Sequence, residues 1–295
     1  MNRRLALTAI ATLVVTAAAP AVAATTSTAA PVQKQIGVAS FNTWPNLTVT
    51  QARSDAKTIS SRAGVDIIGW QEAEKLGPIY RTGPGRATSG GRVYSGNLDH
   101  GRWSTFVPSG AANAVPVSWR SDQFTLESTT VHLMHGGIAH KFPNRYVVRV
   151  RLHDKATGLS VAILNTHLNS SIDANGHPKD NVNTRRAVEH IAKLRDLVTR
   201  STAKVVFVTG DFNIDATDDA RVRDARFPVR QLGPVATSAW MRYPGDSKPT
   251  HGDRRIDYVW LKNASKTHAA FVDSFTVTGL KSDHNALVTK FRVHG

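Results

Sequence analysis

The sequence predicts an α/β sandwich, two packed β-sheets with helices on their outer sides. Three observations carry this. Short runs rich in Val, Ile and Phe recur along the chain between turn residues, two longer segments repeat apolar residues at helical spacing, and no linker-like break separates them.

The strand-like runs are Ile36 to Phe41, Val65 to Trp70, Val115 to Trp119, Val147 to Leu152, Ser160 to Leu164, Val205 to Thr209, Ile256 to Leu261 and Ala286 to Phe291. The first helical segment sets Val49, Ala52, Ala56, Ile59 and Ala63 three and four apart, and so on one face. The second does the same with Val188, Ile191, Leu194 and Val198. Between Gly77 and Trp103 glycines alternate with Arg81, Arg86, Arg92, Arg102, Tyr80 and Tyr94 around one acidic residue, Asp99, which predicts a long exposed loop. Gly85, Gly90 and Gly91 are followed by Arg92 rather than by Lys-Ser/Thr, so this is no nucleotide-binding P-loop. Basic side chains among aromatics suit a nucleic-acid backbone and its bases equally well as they suit a solvated loop.

The ends and the composition bound the class. Arg3 and Arg4, an apolar run from Leu5 to Ala19 and Ala21-Val22-Ala23 predict a signal peptide over residues 1–23, hence a secreted protein. Residues 24–35 are dominated by Thr, Ser, Ala and Pro and predict a flexible leader, leaving 36–295 as one domain. No later stretch approaches the length of a membrane-spanning helix. There is no cysteine, which excludes disulfides and thiolate metal sites. The formal charge of +15, or +13 once Arg3 and Arg4 leave with the signal, favours a polyanionic partner such as nucleic acid. A monomer without a stable protein partner is expected.

The chemistry lies in polar residues that follow the strand-like runs, where side chains reach one rim of a sheet. They are Ser40-Phe41-Asn42, Gln71-Glu72, Asn165-Thr166-His167-Leu168, Gly210-Asp211-Phe212-Asn213, Arg255-Ile256-Asp257-Tyr258 and Ser282-Asp283-His284. Oxygen donors without thiolates favour a hard cation, Mg2+ or else Mn2+ or Ca2+, over zinc. Glu72 is the first choice of ligand, with Asn42 and Asp283 beside it. Singly, each of these residues reads more simply as a turn former or helix cap. His132, His135 and His140 lack the helical His-Glu-x-x-His pattern of a zinc site and read as surface or loop histidines.

As an ordered set, the motifs resemble the endonuclease/exonuclease/phosphatase superfamily, which includes deoxyribonuclease I, from Ser40 to His284. Asn42 resembles its first-strand Asn, Glu72 its Gln-Glu metal ligand, and His167 the histidine of Asn-Thr-His-Leu. Asp211 and Asn213 match its Gly-Asp-Phe-Asn pair, Asp257 its Arg-Ile-Asp-Tyr aspartate, and Asp283 with His284 its terminal Ser-Asp-His. Arg145 looks like an arginine kept near the phosphate. The resemblance implies a four-layered sandwich, two mostly antiparallel sheets face to face with helices outside. It further implies phosphoester hydrolysis by an activated water: a metal on Glu72, His284 taking a proton from or orienting the water, and Asp257 fixing its tautomer. Asp211 would align water or metal, and Asn213, His167 and Arg145 would hold the phosphate. One departure is Asn113, where deoxyribonuclease-like members carry a Glu near the histidine matching His167.

The leading expectation is a secreted nuclease acting on DNA or RNA. A sphingomyelinase-like or inositol-phosphate phosphatase-like hydrolase is the alternative enzyme, and a non-catalytic binding protein on the same scaffold the alternative from another class.

Overall fold

A computed structural model of the chain describes residues 32–80, 83–96, 98, 102–140, 142–245 and 247–295. The expected signal peptide and most of the expected leader lie outside them. Gln33 to Gln35, assigned to the leader from composition, instead begin the first strand.

In chain order the elements are β1 (Gln33–Asn42), α1 (Val49–Ser60), β2 (Ile67–Gln71), α2 (Gly77–Tyr80), β3 (Arg86–Thr88), β4 (Gly91–Ser95), β5 (Trp103–Pro108) and β6 (Val117–Arg120). There follow β7 (Phe124–His135), β8 (Arg145–Asp154), β9 (Ser160–His167), the short pair β10 (Asp173–Ala174) and β11 (His177–Pro178), and α3 (Val182–Arg200). Last come β12 (Val205–Asp211), α4 (Ala216–Val222), α5 (Pro228–Gln231), β13 (Ala236–Ser238), α6 (Ala239–Arg242), β14 (Asp257–Lys262), β15 (Ala269–Val277) and β16 (Ala286–His294). An eight-stranded sheet runs β15-β16-β1-β2-β6-β5-β4-β3, and a six-stranded sheet runs β13-β14-β12-β9-β8-β7. Only the β1–β2 and β9–β12 pairings within them are parallel, so both sheets are mostly antiparallel, as expected.

Period-two alternation gives each face of β1 its own partner. Ile36 and Val38 join the core that contains Ile163, Phe207 and Val259 of the other sheet, while Ala39 and Phe41 pack with Ala52, Ala56 and Ile59 of α1. β12 is buried along its whole length, as a central strand covered on both faces must be. The two amphipathic segments form α1 and α3. Thr48 and Gln51 close a reciprocal capping box at the start of α1, and Asn181 accepts from the Thr184 N–H at the start of α3.

Several strands escape the sequence reading for a common reason. β7 and β15 are edge strands with polar outer residues, and β-bulges at Leu126/Ser128, Leu133/His135 and Phe271/Asp273 break their alternation. The expected loop from Gly77 to Trp103 contains α2 and the β3–β4 hairpin, which extends the large sheet through β5. Its residues are also less available than expected: Tyr80 is buried, and Arg92 donates to the carbonyls of Pro84 and Gly85 at 2.8 and 2.9 Å. His135, read as a surface or loop residue, is buried, with its ring against Phe142 and His190.

A polar layer joins the sheets directly beneath one rim. Gln71 Nε2 and Thr209 Oγ1 both donate to Asn165 Oδ1, at 2.8 and 2.9 Å, and Asn165 Nδ2 donates to the carbonyls of Trp70 and Pro116. The Gly210 N–H donates to Ser40 Oγ across the same interface. Each buried polar group lost here would cost about 1–3 kcal/mol, so the layer fixes the offset of one sheet on the other. It also sets the strand ends β1, β2, β9 and β12 side by side.

Candidate active site

At that rim a cavity of about 260 Å³ is lined by Asn42, Glu72, Arg145, His167, Asp211, Asn213, Asp283 and His284, together with Trp44, Pro45 and Ser170. Every residue singled out from the sequence lines it except Asp257, which lies fully buried behind His284. Sequence motifs missed Trp44, Pro45, Ser170 and the nearby His251. These belong to loops whose spacing carries no periodic signal.

Backbone strain is concentrated here. Seven described non-glycine residues have positive φ, and three of them, Trp44, Glu72 and Asn213, line this one cavity. Such conformations cost about 1–3 kcal/mol each and persist where the surroundings enforce them. Glu72 leaves β2 in the left-handed region (φ 52°, ψ 34°) and its carbonyl accepts from Thr43 Oγ1 at 2.8 Å. Its carboxylate, 28% exposed, makes no hydrogen bond among the described residues, and His167 Nε2 lies 3.8 Å from it. Burial pushes its pKa above the usual carboxylate value, against the opposing pull of His167.

Asp211, at the end of β12, is the hub. Its Oδ1 accepts the Asn213 N–H at 2.8 Å and its Oδ2 accepts Asn42 Nδ2 at 3.0 Å, with His167 Nε2 at 3.4 Å and His284 Nε2 at 3.9 Å. Although burial opposes ionisation, the hydrogen bonds from His167 and Asn42 and the charge on His284 hold this carboxyl well below its usual range. Arg145 Nη1 lies 3.1 Å from His167 Nδ1, and its Nε donates to Asn169 Oδ1 at 3.1 Å. A guanidinium can only donate, so His167 Nδ1 accepts and the ring proton sits on Nε2, aimed at Asp211 and Glu72. Arg145 thus takes the place of a carboxylate partner for His167. Asn113 is half-buried in the 3-10 turn Gly110–Ala114.

His284 Nδ1 lies 2.8 Å from Asp257 Oδ2. Burial alone would lower the imidazole, but the Asp257 charge and hydrogen bond, with Asp211 and Asp283, raise it to about 10. Burial pushes Asp257 up as well, its Oδ1 having no hydrogen-bond partner among the described residues. Of the two we assign the shared proton to the imidazole, because three carboxylates surround it and only one group on the ring can relieve them. The loop that presents it is pinned from two sides. Asp55 of α1 accepts the backbone N–H groups of Lys281 and Ser282 at 2.8–2.9 Å, and Ser282 Oγ donates to the Asn42 carbonyl at 2.8 Å. Asp283 faces His251, with Oδ2 3.6 Å from Nε2.

The donor chemistry fits a hard divalent cation. Among the described residues Glu72 is a half-buried carboxylate without a hydrogen-bond donor, Asp211 is ionised beside it, and Asn42 Oδ1 accepts only the Trp44 N–H, leaving a lone pair. Two further groupings, Asp211-Asp257-His284 and His251-Asp283-His284, also come within metal-ligand reach of one another. The first is already tied together by the Asp257–His284 hydrogen bond.

The family model of the Endonuclease/Exonuclease/phosphatase family matches residues 38–284. No curated protein sequence matches the chain. Among solved structures, a humanized D. rerio TDP2 is similar with a TM-score of 0.58 at 13% identity, over 87% of this chain and 98% of that one. A Bacteroides thetaiotaomicron mannosyl-6-phosphatase gives 0.55 at 16%, over 87% and 99%. The human Nocturnin catalytic domain with bound sulfate gives 0.54 at 17%, over 90% and 98%. At these identities the likeness shows a common fold.

Proposed function

Because the chain belongs to the endonuclease/exonuclease/phosphatase family, whose members are metal-dependent phosphoester hydrolases, we propose that it is an exported nuclease that hydrolyses the phosphodiester bonds of DNA or RNA. The observation that carries the reading is the convergence, in one cavity, of Glu72, Asp211, Arg145, His167 and the Asp257–His284 pair, drawn from strand ends of both sheets. The formal charge of +15 supports a polyanion as substrate. A D. rerio TDP2 of the same fold has been solved with a single strand DNA product.

Glu72, with Asp211 and Asn42, would hold a divalent cation, Mg2+ by donor chemistry, which when bound supplies Lewis-acid neutralisation of the phosphoryl oxygens. The rest falls to the chain. His167 Nε2–H and the Arg145 guanidinium donate toward the phosphate oxygens as charge builds. Asp211 orients Asn42, Asn213 and the His167 ring through its own hydrogen bonds. His284, raised to about 10, holds a proton on Nε2 at neutral pH and can give it to a phosphoryl or leaving oxygen. The base role inferred from the sequence requires added positive charge nearby to lower that value.

The test is a substrate panel with purified protein: plasmid DNA, single-stranded DNA, RNA, sphingomyelin and inositol phosphates, with Mg2+, Mn2+ or Ca2+ and with chelator. Cleavage of nucleic acid that stops with chelator and weakens steeply with salt is expected. Intact nucleic acid under every metal, with turnover of a lipid or inositol phosphate, would replace this reading by the phospholipid or phosphatase one. For the export proposal, the N-terminus of protein recovered from the medium should be Ala24.

A further inference from the structure

Trp44 occupies the least natural position in the cavity wall. A bulky aromatic at φ 53° is a rare outlier, and the residue before a proline, here Pro45, ordinarily keeps to extended backbone. The conformation is enforced. The Trp44 N–H donates to Asn42 Oδ1 at 3.0 Å, its carbonyl accepts the Leu47 N–H at 3.2 Å, and Thr43 Oγ1 is within hydrogen-bond distance of the carbonyls of Gln71 and Glu72. Asn42 in turn donates to Asp211. The strained backbone holds the indole in the cavity wall shared with Arg145, His167 and His284.

That indole is half-buried. One part packs on the α1 side of the large sheet with the cluster that contains Phe41 and Leu47, and another part lines the cavity shared by Arg145, His167 and His284. Among the described residues no aromatic ring or cation stacks on it, although twelve ring–ring contacts and six cation–ring contacts occur among those residues. A rigid aromatic face left open next to groups that bind a phosphodiester suits a flat aromatic substituent one bond system away from the phosphorus. In a nucleic acid that substituent is the base.

We infer that Trp44 is a stacking platform for the nucleobase flanking the scissile phosphate, which makes the cavity specific for phosphodiesters that carry a nucleoside. The inference rests on the nuclease reading and deepens it. It separates this site from one serving inositol phosphates, whose rings are saturated and hydroxylated. Stacking on an aromatic side chain tolerates all bases, so the platform predicts little sequence preference.

The experiment compares substrates that differ only in the nucleoside: the 5′ and 3′ p-nitrophenyl phosphodiesters of thymidine against methyl p-nitrophenyl phosphate. For Trp44→Ala, the ratio of kcat/KM for the better thymidine ester to that for the methyl ester should fall about tenfold or more, the range expected for one lost stack. Trp44→Phe and Trp44→Tyr should recover most of it. A ratio unchanged in Trp44→Ala overturns the platform, whatever the loss on both esters. A second reading needs no turnover: with chelator present, oligothymidylate should quench fluorescence in the wild type but not in Trp44→Phe, and equal quenching in both overturns the platform. If the wild type quenches through Trp44 yet cleaves no nucleic acid, the nuclease reading fails while the platform stands.

Discussion

Replacing Asp257 with Asn removes one charge from a buried pair while keeping its shape. In the wild type the environment raises His284 from 6.5 to about 10 in spite of burial, which at about 1.4 kcal/mol per pKa unit favours the protonated ring by roughly 5 kcal/mol. Asp257, at 2.8 Å, leads the favourable contributions, followed by Asp211 and Asp283. Taking its share as about half gives roughly 2–3 kcal/mol, and if that is expressed in the transition state, kcat falls about 30- to 150-fold. The amide oxygen can still accept from Nδ1–H, so the ring keeps its orientation and KM should change little. The assay is steady-state hydrolysis at pH 7.5 with Mg2+, with circular dichroism to confirm folding. A folded Asp257→Asn protein with kcat within about threefold of wild type would refute the argument that this pair readies His284.

Three further substitutions probe the scaffold. Asp219 is buried, accepts the Val229 N–H at 2.8 Å, and is raised from 3.8 to about 7 by burial, with Asp224 and Asp173 adding to it. A carboxyl raised on folding favours the folded state fully below 3.8 and loses that contribution as pH rises through 7. Thermal melts should therefore show the wild type losing on the order of a few kcal/mol between pH 4 and 8 that Asp219→Asn does not lose, and parallel pH profiles would contradict this. A Cβ at Gly69 would lie 2.0 Å from Thr209 Oγ1 and 2.6 Å from Asn165 Oδ1, so Gly69→Ala should break the polar layer and cost about 2–4 kcal/mol by urea unfolding. Asp55→Ala frees the backbone N–H groups that hold the Lys281–His284 loop, and kcat should drop at least about tenfold while the far-UV spectrum stays native. Full activity would show that the loop is held without it.

The architecture was legible where burial is two-sided or periodic. All eight runs read as strands overlap strands, although those from Val65, Val115 and Ile256 start one or two residues early; β1, β9, β12 and β16 are central and apolar on both faces. The edge strands β7 and β15 and the β3–β4 hairpin were not legible, since bulges, Thr and Ser on the open face and glycines remove the alternation on which the reading depends. The site was legible as motifs, but the motifs mix two kinds of residue. Asp211, Asn213 and His167 face the cavity, whereas Asn165 and Gln71 of the same motifs hold the sheets in register, and Thr166 ties its strand to the Tyr146 carbonyl and to His190 of α3. No pattern in the chain announces that Asn42 ties Trp44 to Asp211, or that Arg145 supplies the partner of His167 in a sequence with Asn113 in place of a glutamate. Those relations exist only once strands far apart in the chain are set side by side.

Binding of Mn2+ to the purified protein, followed by the loss of the free-ion electron paramagnetic resonance signal, reaches the central claim most directly. The wild type should take up Mn2+ at a site whose affinity falls at least about tenfold in Glu72→Gln, with nucleic-acid cleavage falling in step. An affinity unaltered by that substitution would contradict the placement of the cation on Glu72 and, with it, the convergence of these strand ends on one catalytic centre.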